Sequence, residues 1–133
     1  MLNLDFLAAK YAPAILDIQD SKEKDKKETL VNQALGILAE QGPFALMLWA
    51  QTKCRKKSSD NKKIGDTIWE SLVEIMREAE LVNESTYNEL RQKHERLATF
   101  SENICNSFIT LIMVRQLFDR VLIYARYYAK TEG

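Results

Sequence analysis

His94, Cys54 and the row Glu70, Glu74, Glu78 are the residues whose types and spacing could do chemistry. A histidine titrates near neutrality and serves as a general base or a metal ligand. His94 stands in the polar run RQKHER, with no second histidine to complete an H-E-x-x-H pattern. Arg91 is only three residues before it, which does not fit the Arg-x4–6-His spacing of RNA-cleaving helical domains. Cys54 lies among Lys53, Arg55, Lys56 and Lys57, cations that lower a thiol pKa, but the sequence supplies no base to orient it as a nucleophile. The three glutamates recur at i+4 and share one helix face, yet the Glu-x-x-His partner of di-metal helical bundles is missing, so an exposed acidic face is expected. Gly36, Gly42, Gly65 and Gly133 are isolated and build no phosphate-cradling loop. The residues therefore point away from an enzyme, with no catalytic residues, no metal site and no cofactor.

Binding is better represented than catalysis. The tract 53–63 (KCRKKSSDNKK) sets Lys53, Arg55, Lys56, Lys57, Lys62 and Lys63 against Asp60 alone, a local charge of +5 in a chain whose net charge is zero. Residues 64–106 hold four cations against nine carboxylates, a local charge of −5. Neutrality is thus a cancellation between regions, and a concentrated positive patch is the electrostatic footprint of a polyanion such as nucleic acid. The competing reading is a Lys-rich solvated loop. Near the C-terminus, Arg115, Arg120, Arg126 and Lys130 are interleaved with Phe118, Tyr124, Tyr127 and Tyr128. Arginine grips phosphate bidentately and tyrosine offers a stacking face; equally, the aromatics could be core and the arginines its rim. Helical spacing puts Arg115, Arg126 and Lys130 near one stripe, with Arg120 further round.

Helices must position these residues. The chain of 133 residues reads as one domain able to bury a core without staples, and its four Gly and two Pro leave little material for hairpins. Leu4, Leu7, Ala8, Tyr11, Ile15 and Ile18 predict a first helix over about 3–20, kinked or broken at Pro13. A mixed-charge connector over 21–28 leads to a second helix carrying Leu30, Val31, Ala34, Leu35 and Leu38 inward. Gly42 and Pro43 form a stop and a start, since Gly closes a helix and Pro opens the next. The third helix, apolar nearly all round, is expected at the centre with Phe44, Leu48 and Trp49 buried. Asp66 is the expected N-cap of a fourth helix burying Ile68 and Leu72, and Ser85 that of a fifth over Tyr87, Leu90, Leu97 and Phe100. A final helix, capped by Ser101 or continuous with the fifth, should bury Ile112, Val114 and Leu117. The expected fold is all-α, a single-domain bundle of five or six helices over 1–133.

Compartment follows from the cysteines and the hydropathy. Two lone cysteines, Cys54 and Cys105, and a start without a basic, apolar secretory signal predict a cytoplasmic protein with reduced thiols. The most apolar segment, 104–128, is interrupted by Arg115, Gln116, Asp119, Arg120 and Arg126, so no membrane span is expected.

The segment 30–53 (LVNQALGILAEQGPFALMLWAQTK) resembles the core helix pair of the small subunit of Cmr-type CRISPR effector complexes, with Val31, Ala34, Ile37, Leu38, Gly42, Leu46 and Lys53 at the matching places. The ending RQLFDRVLIYARYYAKTEG is similar to the aromatic, basic last helix of Cmr- and Csm-type small subunits. Together these cover about a third of the chain; 64–100 has no counterpart, and both type III and type I (such as type I-D) complexes stay open. The resemblance implies a non-catalytic subunit of an RNA-guided complex. Its copies would stack beside other effector subunits, and its basic surfaces would meet the backbone of the guide RNA and target nucleic acid or of the displaced strand. A helical protein–protein adaptor without nucleic-acid binding is the alternative.

Overall fold

Abundant Leu, Ala, Glu and Lys and almost no Gly or Pro make helix the favoured backbone along most of this chain. The computed structural model describes the backbone of residues 3–15, 24–55 and 59–131 and the side chains of 3–15, 27–52 and 65–131. Within them lie seven α-helices and no strand: α1 (Leu4–Ile15), α2 (Lys24–Gln41), α3 (Pro43–Arg55), α4 (Ser59–Glu78), α5 (Glu84–Arg91), α6 (Arg96–Phe100) and α7 (Phe108–Thr131). A π-helical turn, Ser101–Cys105, continues α6. The fold is all-α, with more helices than the five or six expected.

Local chemistry explains several boundaries. The Asn3 side chain accepts from the backbone N–H groups of Asp5 and Phe6 and opens α1, which runs through Pro13 to Ile15. The expected continuation over 16–20 lies outside the described residues. Lys24–Glu28, expected as connector, is already the start of α2, as its lysines and acids are good helix formers. Gly42 adopts φ 95° and its N–H reaches the carbonyls of Ile37 and Leu38, closing α2 one residue before Pro43 opens α3. Asp66 is no cap: α4 already runs through it from Ser59. Asn83, not Ser85, caps α5, accepting from the Thr86 N–H at 2.8 Å.

The fifth helix is shorter than its periodicity suggests. Gln92 turns extended and Glu95 adopts φ 61°, so the chain breaks before α6. The break carries Arg96 inward, where a continuous helix would have left it beside the Leu90/Leu97 face. Likewise the expected Ser101 cap, or an unbroken rod, gives way to the π-helical turn and to Ser107, whose hydroxyl accepts from the Thr110 N–H at 3.3 Å at the start of α7.

Helix α7 packs on α1 and α2, and α3 on α4. The core is filled by Leu46 and Met47 of α3, by Ile68, Trp69, Leu72 and Met76 of α4, and by Val114, Leu117, Phe118 and Leu122 of α7. Three expected core residues, Phe44, Leu48 and Ile112, are not there, and Trp49 packs only at the core's edge. Phe44 and Leu48 are exposed and Trp49 half-buried, because α3 rests on its neighbours by the Leu46/Met47/Ala50 side and its 44/48/52 line faces outward. Ile112 is exposed for the same reason: α7 buries the stripe through Val114, Leu117, Phe118 and Val121, which leaves Phe108, Ile109, Ile112 and Met113 on the other side.

Candidate nucleic-acid interface

The basic tract is built differently from the loop it suggested. Lys53 and Arg55 belong to the end of α3, while Lys62 and Lys63 belong to the first turns of α4. Lys56 and Lys57 lie outside the described residues, as do the side chains of all six cations. The backbone alone therefore sets four of the six at the meeting of two helix ends. Cations at the end of α3 complement the partial negative charge of its carbonyls; those in the opening turns of α4 gain nothing from its dipole.

The four cations of α7 are distributed over its two flanks. Arg115 donates to the Ala39 carbonyl at 3.0 Å. That carbonyl is in the last turn of α2, where the carbonyls have no partner further along the helix, so Arg115 acts as a cap supplied from another element. Lys130 lies 3.9 Å from Glu28 at the opposite end of α2, which makes α2 and α7 antiparallel. Arg120 is on the α1 flank, 3.9 Å from Asp5, whose carboxylate also accepts from the Tyr124 hydroxyl and raises the tyrosine pKa. Arg126 turns its guanidinium towards the Tyr127 ring at 5.5 Å, and its buried Nε has no hydrogen-bond partner. Arg115 and Lys130 of the stripe thus meet α2, while Arg120 meets α1. The pairs at 3.9 Å are half-exposed and weak, of the kind a phosphate can displace. Tyr127 and Tyr128 are exposed and line, with Ala9, Ala12 and Tyr124, a groove of about 330 Å³ between α1 and α7.

The acidic row is a joint more than a bare face. Glu78 receives Lys10 Nζ at 2.7 Å and the Tyr11 hydroxyl, and these donors lower its pKa. Burial beside Glu78 raises the Tyr11 pKa. The Tyr87 hydroxyl donates to Glu74, which raises its own pKa, and Arg77 pairs with Glu84 at 3.0 Å while covering the Tyr87 ring at 4.4 Å. Only Glu70 keeps the open position expected of all three. These contacts fix α1 and α5 to α4 around a groove of about 530 Å³.

Among the residues considered for chemistry, His94 is exposed beside Glu95 at 3.7 Å. The side chain of Cys54 lies outside the described residues. Cys105 is partly buried, which pushes its thiol pKa up. No group of three or more His, Cys, Asp or Glu stands together among the described residues. No described helix is long and apolar enough to cross a membrane.

One polar cluster had no sequence signal. Arg96 is buried, its guanidinium 4.0 Å from the Trp69 ring and its Nε donating to Gln51 Oε1 at 2.5 Å. Trp69 in turn donates from Nε1 to the Leu90 carbonyl at 2.8 Å. The cluster ties α3, α4, α5 and α6 together. An arginine in a run as polar as RQKHER looks solvated, and only the break at Gln92–Glu95 turns it inside.

No protein-family model, no curated protein and no solved structure matches the chain.

Proposed function

We propose that this chain is a non-catalytic small subunit of a cytoplasmic CRISPR RNA-guided effector complex, binding nucleic-acid backbone without reading sequence. The observation that carries the reading is the segregation of charge. Six cations are concentrated over 53–63, four of them on two helix ends, and the adjoining 64–106 is as strongly negative. Such a patch neutralises phosphates, and opposite patches on one chain suit head-to-tail stacking of copies beside the other subunits. The resemblance of 30–53 and 115–133 to Cmr- and Csm-type small subunits supports the same reading. In the α7 set, Arg115, Arg120, Arg126 and Lys130 are secondary contacts, since each must give up a partner or a packed position to meet phosphate.

A mobility-shift titration of the full chain against single-stranded and duplex RNA and DNA tests this. Affinities of roughly 10⁻⁴–10⁻⁶ M with steep salt dependence are expected. Replacing Lys53, Arg55, Lys56 and Lys57 by Ala should weaken binding and lower the salt slope by roughly 3. Arg115→Ala with Arg126→Ala should have the smaller effect on binding. A second reading, a helical protein–protein adaptor, is favoured by the uncharged apolar face of α3 and α7. It is the right one if neither set of substitutions alters nucleic-acid binding.

A further inference from the structure

Two runs of twelve residues in this heavily charged chain carry no charge at all: 41–52 and 103–114. Each places large apolar side chains on the surface. On α7, Phe108 is 76 % exposed, Ile109 71 %, Ile112 42 % and Met113 36 %; on α3, Phe44 is 38 % and Leu48 46 %. The four α7 residues fall within two turns on the side opposite the buried Val114/Leu117/Phe118 stripe. The two sets stand on helices that meet. Arg115 binds the last turn of α2, α3 starts directly after Gly42, and α3 touches α7.

The geometry points to this face as a two-fold contact between two copies of the chain. Area and charge both choose the occupant. Aromatic side chains present on the order of 150–250 Å² and aliphatic ones on the order of 100 Å², so the open fractions amount to roughly 450 Å² of apolar surface. That is the middle of the ~300–600 Å² found for the largest, often functional, patch on a monomer. Two such patches with their polar rims reach the ~1,000 Å² at which a specific interface begins. A two-fold contact also sets each surface against its own copy, so a net charge on it faces the same net charge. A face drawn from two uncharged runs, in a chain of zero net charge, avoids that repulsion. The inference is independent of nucleic-acid binding, because the charged segments used for that reading take no part.

Sedimentation equilibrium of the reduced full chain at high salt, which screens head-to-tail charge contacts, from low micromolar to near-millimolar concentration, should show a reversible monomer–dimer equilibrium that closes at two copies. Raising salt should leave the dimer intact, as apolar burial is not screened. Phe108→Glu with Ile112→Glu should give monomer throughout with unchanged circular dichroism, both positions being exposed. The Ala set at Lys53, Arg55, Lys56 and Lys57 should leave the dimer as it is. In a Cys54→Ser, Cys105→Ser background, single Phe108→Cys, Ile112→Cys and Met113→Cys variants should include one that oxidises to a disulfide dimer, since a residue near a two-fold axis meets its own copy. Monomer at every concentration overturns the inference, as does growth beyond two copies, a dimer that survives the double glutamate variant, or no cross-link from any of the three cysteines.

Discussion

The two parts of α7 are both rich in large apolar side chains and have opposite fates. From Phe108 to Met113 the helix is apolar and largely open; from Val114 onward its apolar stripe is sealed against α1 and α2 and its cations find partners. Phe108 and Phe118 are the same residue ten positions apart on one helix, one exposed and the other fully buried. Hydrophobicity did not choose between them. What chose was whether another helix lay across, and the apolar stripe of a helix can face only one side.

The sharpest way to break this comparison is to truncate both phenylalanines. Phe118→Ala should cost about 3–5 kcal/mol, the price of a buried aromatic and the cavity it leaves. Phe108→Ala should stay within about 0.5 kcal/mol at low micromolar protein. Urea denaturation curves compare them directly, and equal losses would mean that α7 is not seated as described.

Arginines permit the same contrast. Arg96→Ala should lose about 2–4 kcal/mol, because it removes the cation over Trp69 and leaves Gln51 without its donor. Arg96→Lys should not restore it, since an ammonium lacks the planar face. Arg120→Ala, at a half-exposed pair with Asp5, should change stability by less than about 0.5 kcal/mol. Matching losses in thermal melts would place Arg96 at the surface.

The end of α2 is closed twice, once by its own backbone and once from α7. Gly42→Ala should cost about 1–2 kcal/mol through the left-handed φ, with no clash at the added Cβ. Arg115→Ala should cost about 0.5–1 kcal/mol, as a single exposed cap. Reversal of that order in denaturant titrations would make the tertiary cap the stronger device.

The smallest expected effect is in pH. Glu78 has its pKa lowered by Lys10 and Tyr11, so the unfolded chain takes up this proton first as the solution is acidified. The stability contributed by the joint is whole above the ordinary carboxyl value of 4.5 and is lost as pH falls below it. Tyr11 has a raised pKa, so at the alkaline end the unfolded chain loses its proton first, and stability falls as pH rises past 10. Denaturation midpoints followed across both limits should flatten in Glu78→Gln. An unchanged profile in that variant would remove the joint from the pH response.

Much of the binding surface was legible as types of residue and little of it as geometry. The charge of 53–63 is visible in the letters, but its division between the ends of α3 and α4 is not, because no Gly or Pro marks where helix resumes. The spacing of Arg115, Arg126 and Lys130 pointed to one stripe and correctly set Arg120 apart. Their partners, Ala39, Asp5 and Glu28, are 76 to 115 residues away along the chain and carry no local sign.

What the sequence determined by itself is what short-range physics governs. The all-helical character follows from backbone propensity, the Gly42–Pro43 joint from left-handed φ and a missing N–H, and the buried face of α4 from its 3.6-residue period. Tertiary structure alone decided the break at Gln92–Glu95, the inward turn of Arg96 and the exposure of Phe44, Leu48, Phe108 and Ile112. Each of these depends on which helix lies opposite. A periodic pattern shows that a helix has an apolar side; only the packed partners determine which part of that side is covered.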